Sequence, residues 1–426
     1  MEPLMQPTRG LSDRRGALKL AALGGVSLLT PAAEILARQS RRKHSGEPAK
    51  SIILLWLAGG PSQLETFDPH PGKPIAVGTQ AIATSVPGIQ LAKGYERLAD
   101  RIQHVALVRS LVSKEGDHER GTYMVKTGYR PNSTVVHPSI GAICCHQLPV
   151  GGTEIPRHVS VLETRWPSVG GLLGKQYDAF KCNDPAEKVP DITAQVADER
   201  IRRRLADLGV VEAAFARGRA KTAAATMHRE AVANARSMMT SRQIDAFDVK
   251  REPKAVLTGY GDTPFGRGCL AARRLIEVGV RCVEVNLGGW DSHANNHEIH
   301  TKLALTLDAA LSALIDDLRQ RDLLDKTIIL CGGEFGRTPK INPLEGRDHW
   351  PHGFTMLLAG GGLRGGVALG ETDPEGGRTV KEPYGVPDLH ATVLTALGID
   401  PAHEELAPIG RPIKLSEGKP IRALLG

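Results

Sequence analysis

The fold is decided by residues 327–362, which read TIILCGGEFGRTPKINPLEGRDHWPHGFTMLLAGGG. This stretch begins with an apolar run at 327–331 and ends with another at 354–359. Short uncharged runs bounded by glycines are typical of buried strands, so both runs are predicted to lie in a parallel sheet. In an open α/β sheet, ligands collect beyond the carboxyl ends of the strands. The polar connection between the two runs is therefore predicted to be the active or binding centre.

This connection carries side chains suited to holding a metal ion. Glu334 stands three residues past the end of the first run, and Asp348, His349 and His352 lie within five positions of one another. One carboxylate and two imidazoles form a ligand set for Zn²⁺ or a similar divalent ion. The sequence therefore predicts a metal site in the connection.

The rest of the chain alternates predicted strands with predicted helices. Further apolar runs that predict strands lie at residues 51–58, 104–108, 158–161 and 280–286. Helical patterns lie at residues 269–278, 302–318 and 387–399, and in the alanine- and arginine-rich segment 191–246. This alternation predicts an α/β fold, a three-layer αβα sandwich with a mostly parallel central sheet. Residues 191–250 are predicted to add a helical insertion.

Ionisable side chains also follow another predicted strand. Asp291 and His293 come shortly after the strand at 280–286, and an Asp-x-His pair in an extended segment presents both side chains on one face. Loops after successive strands share one sheet edge, so this pair and Glu334 are expected to lie close together. The alternative left open is that these residues only tie the loops together by hydrogen bonds.

Three other positions are candidates for a supporting role. Asp117 and His118 are predicted to lie at the start of a helix that ends near Thr127. The N-terminus of a helix favours an anionic ligand or group, because its backbone N–H groups and dipole point toward it. Asp68 precedes a proline, and it either starts a turn or contributes to the site.

The first part of the chain is predicted to be an export signal rather than part of the folded domain. Residues 12–19 read SDRRGALK and resemble the twin-arginine export signal, although Gly16 and Ala17 stand where a bulky apolar residue is usual. The apolar stretch that follows is too short to span a membrane. We predict a signal segment at 1–37, a linker at 38–50 and a single α/β domain at 51–426. The expected location is periplasmic or extracytoplasmic, with no integral membrane segment after signal removal.

Composition argues against several other classes of protein. The net charge is +7, but no zinc-finger spacing or aromatic RNA-binding signature accompanies it, so a nucleic-acid partner is not expected. The six cysteines form no C-x-x-C pattern and predict neither a thiolate metal site nor a cysteine nucleophile. Their spacing does not select a disulfide pair, and the oligomeric state is left open.

Four motifs and the twin arginine carry a resemblance to a known family. The motifs are LWLAGGPSQLETFDP at 55–69, GGWDSHANN at 288–296, GGEFGRTPKIN at 332–342 and GRDHWPHGFTMLLAGGG at 346–362. The chain resembles the exported bacterial proteins grouped as domain of unknown function 1501 (DUF1501). That family in turn resembles the alkaline phosphatase and sulfatase superfamily, which implies an α/β sandwich with metal ligands at the carboxyl ends of its strands.

The resemblance implies roles for particular residues. Asp291 and His293 take the place of one metal's ligands. Glu334 falls where an aspartate ligand is usual. His349 or His352 falls near the last histidine ligand of the superfamily.

Two departures from the superfamily pattern bear on the activity. Ala58 and Gly59 stand where those enzymes end their first strand with an aspartate, and Asp68 or Asp117 would have to replace that carboxylate. The position of their Cys, Ser or Thr nucleophile falls on His118, which cannot become formylglycine. The resemblance therefore argues against a formylglycine-type sulfatase.

Two functions follow as hypotheses. The first is a metal-dependent hydrolase of phosphate or sulfate esters, acting on a small molecule or a polysaccharide with Zn, Ca, Mg or Mn as its cofactor. Its predicted metal ligands are Asp291, His293, Glu334, Asp348, His349 and His352. His118 would be the nucleophile or general acid/base, and Arg337 or Arg347 would hold the oxyanion. The second is a catalytically degenerate relative that binds a glycan or a partner protein.

Overall fold

The computed structural model of the chain describes residues 47–189, 192–194, 196–219, 228–373, 375 and 379–425. The predicted signal segment and most of the predicted linker lie outside these described residues. Within the described part of the chain, no helix is long and apolar enough to cross a membrane. All six cysteines lie in it, and each is buried and free of a disulfide.

A central sheet is formed by nine strands of the described chain. They are Ser51–Leu57 (β1), Val105–Val112 (β2), His158–Val161 (β3), Phe180–Cys182 (β4), Cys282–Leu287 (β5), Thr327–Gly332 (β6), Phe354–Gly360 (β7), Val367–Leu369 (β8) and Tyr384–Gly385 (β9). Their order is β8-β2-β7-β6-β1-β5-β3-β4, and β9 also pairs with β2. Strands β1, β5 and β6, each predicted from an apolar run, are neighbours in the sheet.

One strand runs against the direction predicted for it. All pairs in the sheet are parallel except those of Phe354–Gly360, which is antiparallel to both β6 and β2. The prediction of a mostly parallel sheet is confirmed, but the prediction that this strand is parallel is wrong. A parallel neighbour requires a crossover, usually through a helix. The connection from β6 to β7 contains no helix, so the chain turns back on itself.

Helices flank the sheet along the described chain. They are Glu96–Ala99 (α1), His118–Thr127 (α2), Ile140–Gln147 (α3), Asp198–Ala216 (α4), His228–Thr240 (α5), Lys254–Tyr260 (α6), Pro264–Glu277 (α7), Asn296–Gln320 (α8) and Val386–Ala396 (α9). Helices α4 and α5 lie in the segment 191–250 that is predicted to be a helical insertion. Helix α4 buries no residue and α5 buries only Met238, so these two helices add little to the core.

Alternation along β1 supplies both apolar cores. Ile53 and Leu55 face a core shared with α7 and α8, whereas Ile52 and Leu54 face a second core shared with α2, α3 and α9. Successive side chains of a strand point to opposite faces, so an uninterrupted apolar run is what a strand covered on both sides requires. Burial of each such side chain contributes about 1.5–3 kcal/mol. The predicted three-layer αβα sandwich is confirmed.

The described chain also forms short two-stranded ribbons that are separate from the central sheet. They pair Ala81–Ala83 with Gln90–Ala92, Gly336–Arg337 with His349–Trp350, Glu371–Thr372 with Thr379–Lys381, and Glu404–Leu406 with Pro412–Lys414. The second of these ribbons lies within the connection between β6 and β7. It brings the two ends of the histidine-containing loop side by side.

Two buried histidines are expected to make the fold sensitive to mild acid. His390 of α9 donates from Nε2 to the carbonyl of Val125 at 2.8 Å, and His300 of α8 accepts from the backbone N–H of Ser62 at 2.8 Å. Burial is the largest cause that lowers the pKa of each to about 4, from an ordinary value of 6.5. The unfolded chain therefore binds a proton between about pH 6.5 and pH 4 that the folded chain does not. Stability contributed by the neutral forms is present above pH 6.5 and falls as the pH is lowered through this window, by up to about 1.4 kcal/mol per pH unit for each group.

Urea unfolding at several pH values measures this loss. The His390→Gln variant should show a pH dependence that is weaker by about one proton. The matched variant His297→Gln, at an exposed position on the same helix as His300, should leave the dependence unchanged. Equal pH dependence in all three proteins would contradict this assignment.

Candidate metal centre

The candidate centre forms where the segments that follow three strands, β2, β5 and β6, meet. Asp291 and His293 follow β5, and Glu334 follows β6. His118 begins α2 after β2, and His349 lies in the short ribbon between β6 and β7. The carboxyl ends of these strands share one edge of the sheet, as the predicted topology requires. The structure therefore brings the predicted pair after β5 together with the predicted connection after β6.

Each of the three imidazoles in the centre has its Nδ1 atom within hydrogen-bonding distance of an oxygen atom. The Nδ1 atom of His118 lies 2.7 Å from Oε1 of Glu334, and that of His293 lies 2.9 Å from Oδ1 of Asp348. The Nδ1 atom of His349 lies 2.8 Å from the carbonyl oxygen of Gly116. Each partner is an acceptor, so each Nδ1 carries the proton and each Nε2 presents a lone pair.

The three Nε2 atoms point toward the carboxylate of Asp291. The distance from Asp291 Oδ2 to His118 Nε2 is 3.2 Å, and the distances from Oδ1 to His293 Nε2 and His349 Nε2 are 3.1 and 3.5 Å. The Nε2 atoms of His293 and His349 lie 3.1 Å apart. With the protons on Nδ1, these two atoms face each other with lone pairs and no hydrogen between them.

The donor atoms fit a divalent cation. His118, Asp291 and His349 each offer a ligand atom within 4.8 Å of the others, and His293 extends the set. Two buried polar atoms of the centre, His118 Nε2 and Glu334 Oε2, have no hydrogen-bond partner in the described chain. Imidazole nitrogens with a carboxylate oxygen are the ligands of Zn²⁺ and related ions. Nδ1 partners that fix ring orientation are the usual companions of histidine ligands.

The electrostatic environment shifts the pKa values of His118 and His349 in opposite directions. The hydrogen bond to Glu334 is the main cause that raises the pKa of His118, with the charges of Glu334 and Asp291 adding to it. Burial lowers the pKa of His349. Burial alone would raise the pKa of Asp291, but the hydrogen bond and charge of Arg337 outweigh it, so this carboxyl titrates below its ordinary range.

A glycine pair at the end of β1 lets the loops approach one another. Gly59 has φ +117°, and a Cβ there would lie 2.3 Å from the backbone nitrogen of Asp291. Gly60 has φ +76°, and a Cβ there would lie 2.6 Å from the ring of Phe335. The backbone N–H of Gly59 also donates to Glu334 Oε1 at 3.0 Å. Side chains at either position would force the loops apart.

Three other predicted ligands lie outside the ring of converging atoms. Asp348 accepts a hydrogen bond from Nδ1 of His293, and Glu334 accepts one from Nδ1 of His118, so both carboxylates contact the ring nitrogen that does not face Asp291. His352 packs edge-on against Trp350 with ring centroids 4.9 Å apart. No described hydrogen bond or ion pair joins His352 to the cluster.

The two predicted arginines are both fully buried but have different surroundings. Arg337 donates to Oδ1 of Asp291 at 2.6 Å and so contacts the centre directly. Arg347 pairs with Oε1 of Glu65 at 2.8 Å and donates to the carbonyl oxygen of Thr338 at 3.0 Å. No described hydrogen bond or ion pair joins the side chain of Arg347 to the four clustered side chains, which are those of His118, Asp291, His293 and His349. Its partners point to a structural role.

The supporting carboxylates also have local partners of their own. Asp117 caps α2 by accepting from the backbone N–H groups of Glu119 and Arg120. Asp68 accepts from the hydroxyl of Thr372 at 3.1 Å and lies 3.4 Å from Arg109. Neither side chain is joined to the cluster by a described hydrogen bond.

Sequence reasoning missed three neighbours of the centre. The carbonyl of Gly116 orients His349, and the ring of Phe335 packs 4.5 Å from His349 and 5.2 Å from His118. Trp166 stacks nearly parallel to His118 with ring centroids 6.4 Å apart. Trp166 follows the predicted strand β3, so its place after a strand end was a usable signal. A backbone carbonyl leaves no such signal.

Taken together, the fold and the site define an α/β sandwich with a histidine- and aspartate-lined cluster at the carboxyl ends of its central strands. Residues 49–425 match the model of the family described as protein of unknown function (DUF1501), and the chain belongs to that family. The membership predicted from the four motifs is confirmed. No curated protein matches the sequence.

Several solved structures are similar to this chain at low identity. The PsFucS1 sulfatase from Pseudoalteromonas sp. is 11% identical with a TM-score of 0.38, covering 85% of this chain and 70% of the sulfatase. The lipoteichoic acid synthase LtaP from Listeria monocytogenes is 9% identical with a TM-score of 0.39, over 84% and 74% of the two chains. TAB5 alkaline phosphatase is 13% identical with a TM-score of 0.36, over 83% and 99%. These are distant similarities, and the activity of none of them follows for this chain.

Proposed function

We propose that this protein is a metal-dependent hydrolase of phosphate or sulfate esters. The observation that carries the proposal is the pair of Nε2 atoms of His293 and His349, 3.1 Å apart beside the carboxylate of Asp291. Their Nδ1 atoms are already engaged, so neither ring supplies a hydrogen to the other. Facing lone pairs beside a carboxylate repel one another, and a bound cation removes that repulsion.

Asp291, His293 and His349 are the residues proposed to hold the ion. A divalent ion bound there would supply Lewis-acid polarisation of the ester and a lowered pKa for a coordinated water. Two nitrogens and one oxygen favour zinc over calcium, which prefers oxygen ligands. Asp348 and the carbonyl of Gly116 fix the two rings, so the ligands are oriented before any ion arrives.

His118 is proposed to be the general acid/base. Its Nδ1–H is directed at Glu334, and its Nε2 faces the same point as the proposed ligands while lacking a hydrogen-bond partner. From there Nε2 can hold a proton and pass it to the oxygen of the leaving group. The described hydrogen bonds of the four clustered side chains include no serine, threonine or cysteine. This favours attack by water over a covalent route through a hydroxyl or thiol.

Two features support the hypothesis of a catalytically degenerate relative. By the superfamily resemblance, Ala58 and Gly59 stand where an aspartate is usual. Trp166 also offers an aromatic face beside His118, with Arg165 4.8 Å from its ring centroid. Aromatic faces bind sugar rings as well as cations. A glycan bound equally well with and without metal, with no ester hydrolysis, would favour this alternative.

Export remains part of the proposal. The twin-arginine pattern of residues 12–19 supports a periplasmic or extracytoplasmic location, and the proposed substrate is a small-molecule or polysaccharide ester. These residues lie outside the described part of the chain. Fusion of residues 1–46 to a reporter that is active only after export tests the location.

Metal analysis of the purified full-length protein tests the proposed function. We expect a bound divalent ion and a thermal midpoint that falls on treatment with EDTA, because a ligand of the folded state stabilises it by about 2.7 kcal/mol at 100 times its Kd. Hydrolysis of p-nitrophenyl phosphate or p-nitrophenyl sulfate should be lost with the ion and regained on adding zinc or manganese. Protein that binds no divalent ion and whose midpoint ignores EDTA would overturn the proposal.

A further inference from the structure

Arg337 occupies a pocket of oxygen atoms directly behind the candidate centre. Its Nε donates to the carbonyl of Gly60 at 2.8 Å, and its Nη1 donates to the carbonyl of Arg347 at 2.9 Å. Its Nη2 donates to Asp291 Oδ1 at 2.6 Å and also to the carbonyl of Gly59. The side chain is fully buried. A permanent positive charge is therefore enclosed between the end of β1 and the carboxylate of the centre.

We propose that Arg337 is a built-in cation that takes the place of a second metal ion, so that the centre holds one divalent ion. This inference rests on the proposed function of the site. Three carbonyl oxygens and a carboxylate oxygen are the donor set that hard cations such as Ca²⁺ and Mg²⁺ take. Here the guanidinium group uses all four oxygens, and its five N–H donors and charge are independent of pH.

The balance of charge supports a single ion. Three carboxylates contact the imidazoles of the centre, namely Asp291, Glu334 and Asp348. Arg337 is the guanidinium that contacts one of them, which leaves two negative charges. One divalent ion balances these charges. A second divalent ion would leave an excess of positive charge next to the buried guanidinium of Arg337, and like charges at close range repel one another.

The position of Arg337 is fixed by contacts of its own backbone. Its backbone N–H donates to Oε1 of Gln63 at 2.9 Å, and its carbonyl accepts from Nε2 of the same side chain at 2.8 Å. The paired strand supplies a further constraint, since Arg337 lies opposite His349 in the ribbon. Arg337 is thus a positioning residue: it holds one oxygen of Asp291 in place whether or not an ion is present.

The number of ions in the centre tests the inference directly. Isothermal titration of the metal-free, full-length protein with zinc, compared with the His349→Ala variant, counts the ions that depend on the centre. We expect one such ion per chain. Two ions per chain would overturn the role of Arg337 and leave the proposed function standing, whereas no ion at all would overturn both.

Substitution of Arg337 provides a second readout. The Arg337→Lys variant keeps the positive charge but lacks the planar guanidinium group that binds several oxygens at once. We expect the variant protein to bind zinc roughly 10- to 100-fold more weakly, as when an outer hydrogen-bond partner of a metal ligand is lost. In Arg337→Ala, millimolar guanidinium should restore part of the affinity. Affinity of the lysine variant equal to that of the unaltered protein would also overturn the inference.

Arg273 offers a matched control for the loss of a buried arginine. It is 1% exposed and pairs with Glu252, Glu277 and Asp317, none of which belongs to the centre. Arg273→Lys should reduce stability to a degree comparable with Arg337→Lys and leave the affinity for zinc unchanged. An equal loss of zinc affinity in both variants would show that Arg337 acts only through general stability and would overturn its positioning role.

Discussion

Replacement of His349 by alanine is expected to abolish binding of the divalent ion and hydrolysis of the ester. The Nε2 of His349 lies 3.1 Å from that of His293 and 3.5 Å from Asp291, so its loss removes one of three proposed ligands. Loss of an outer partner costs roughly 10- to 100-fold in affinity, and loss of a direct ligand should exceed this. Titration with zinc and the rate of p-nitrophenyl ester hydrolysis measure the two effects.

His352 provides the matched control for this experiment. It lies three residues away in the same loop, and the sequence alone does not choose between the two as the last histidine ligand. In the structure the ring of His352 packs on Trp350 and makes no described hydrogen bond to the cluster. His352→Ala should therefore bind zinc as the unaltered chain does. The reverse outcome, with the ion lost in His352→Ala and retained in His349→Ala, would contradict the assignment.

Local patterns predict the parts of the site that are formed by neighbours in sequence. The apolar runs locate the strands because a strand buried on both faces needs an uninterrupted run. Asp291 and His293 are predicted to share a face, and their side chains do meet at 3.1 Å. The start of α2 is predicted at Asp117 and His118, where the structure places a capping aspartate.

Partners that are distant in sequence leave no such pattern. Arg347 and Arg337 look equivalent in one loop, yet one pairs with Glu65 and the other with Asp291. Which carboxylate each arginine meets depends on how β1, β5 and β6 lie side by side. The direction of Phe354–Gly360 is another case, because an apolar run has the same appearance in either orientation. Periodicity predicts which face a residue occupies, and tertiary packing decides what it contacts.

The glycine pair at the end of β1 joins these two levels. In the sequence, a glycine pair at a strand end allows the backbone to come close to a ligand. In the structure, the groups close to Gly59 and Gly60 are the backbone of Asp291 and the ring of Phe335. The same pair supplies two of the three carbonyl oxygens that accept hydrogen bonds from Arg337. Absence of a side chain at this strand end therefore serves both the packing of the loops and the arginine pocket behind the centre.

Substitution of Gly59 by alanine is expected to be strongly destabilising and to weaken the metal centre. The residue has φ +117°, a conformation that L residues rarely adopt, and the new Cβ would lie 2.3 Å from the backbone nitrogen of Asp291. Backbone strain and overpacking each cost about 1–3 kcal/mol, so we expect a loss of about 4 kcal/mol in the free energy of unfolding. The displaced backbone would also move Asp291 away from His293 and His349, and the affinity for zinc should fall with the stability.

Gly72 separates the two causes of this effect. It also has a positive φ, +75°, but a Cβ there would meet no atom within 4 Å. Gly72→Ala should therefore lose only the conformational contribution, about 1 kcal/mol, and should bind zinc normally. Urea unfolding and zinc titration of both variants provide the comparison. If Gly59→Ala were as stable as Gly72→Ala and bound zinc equally well, the close approach of β1 to Asp291 would not be what holds the centre together.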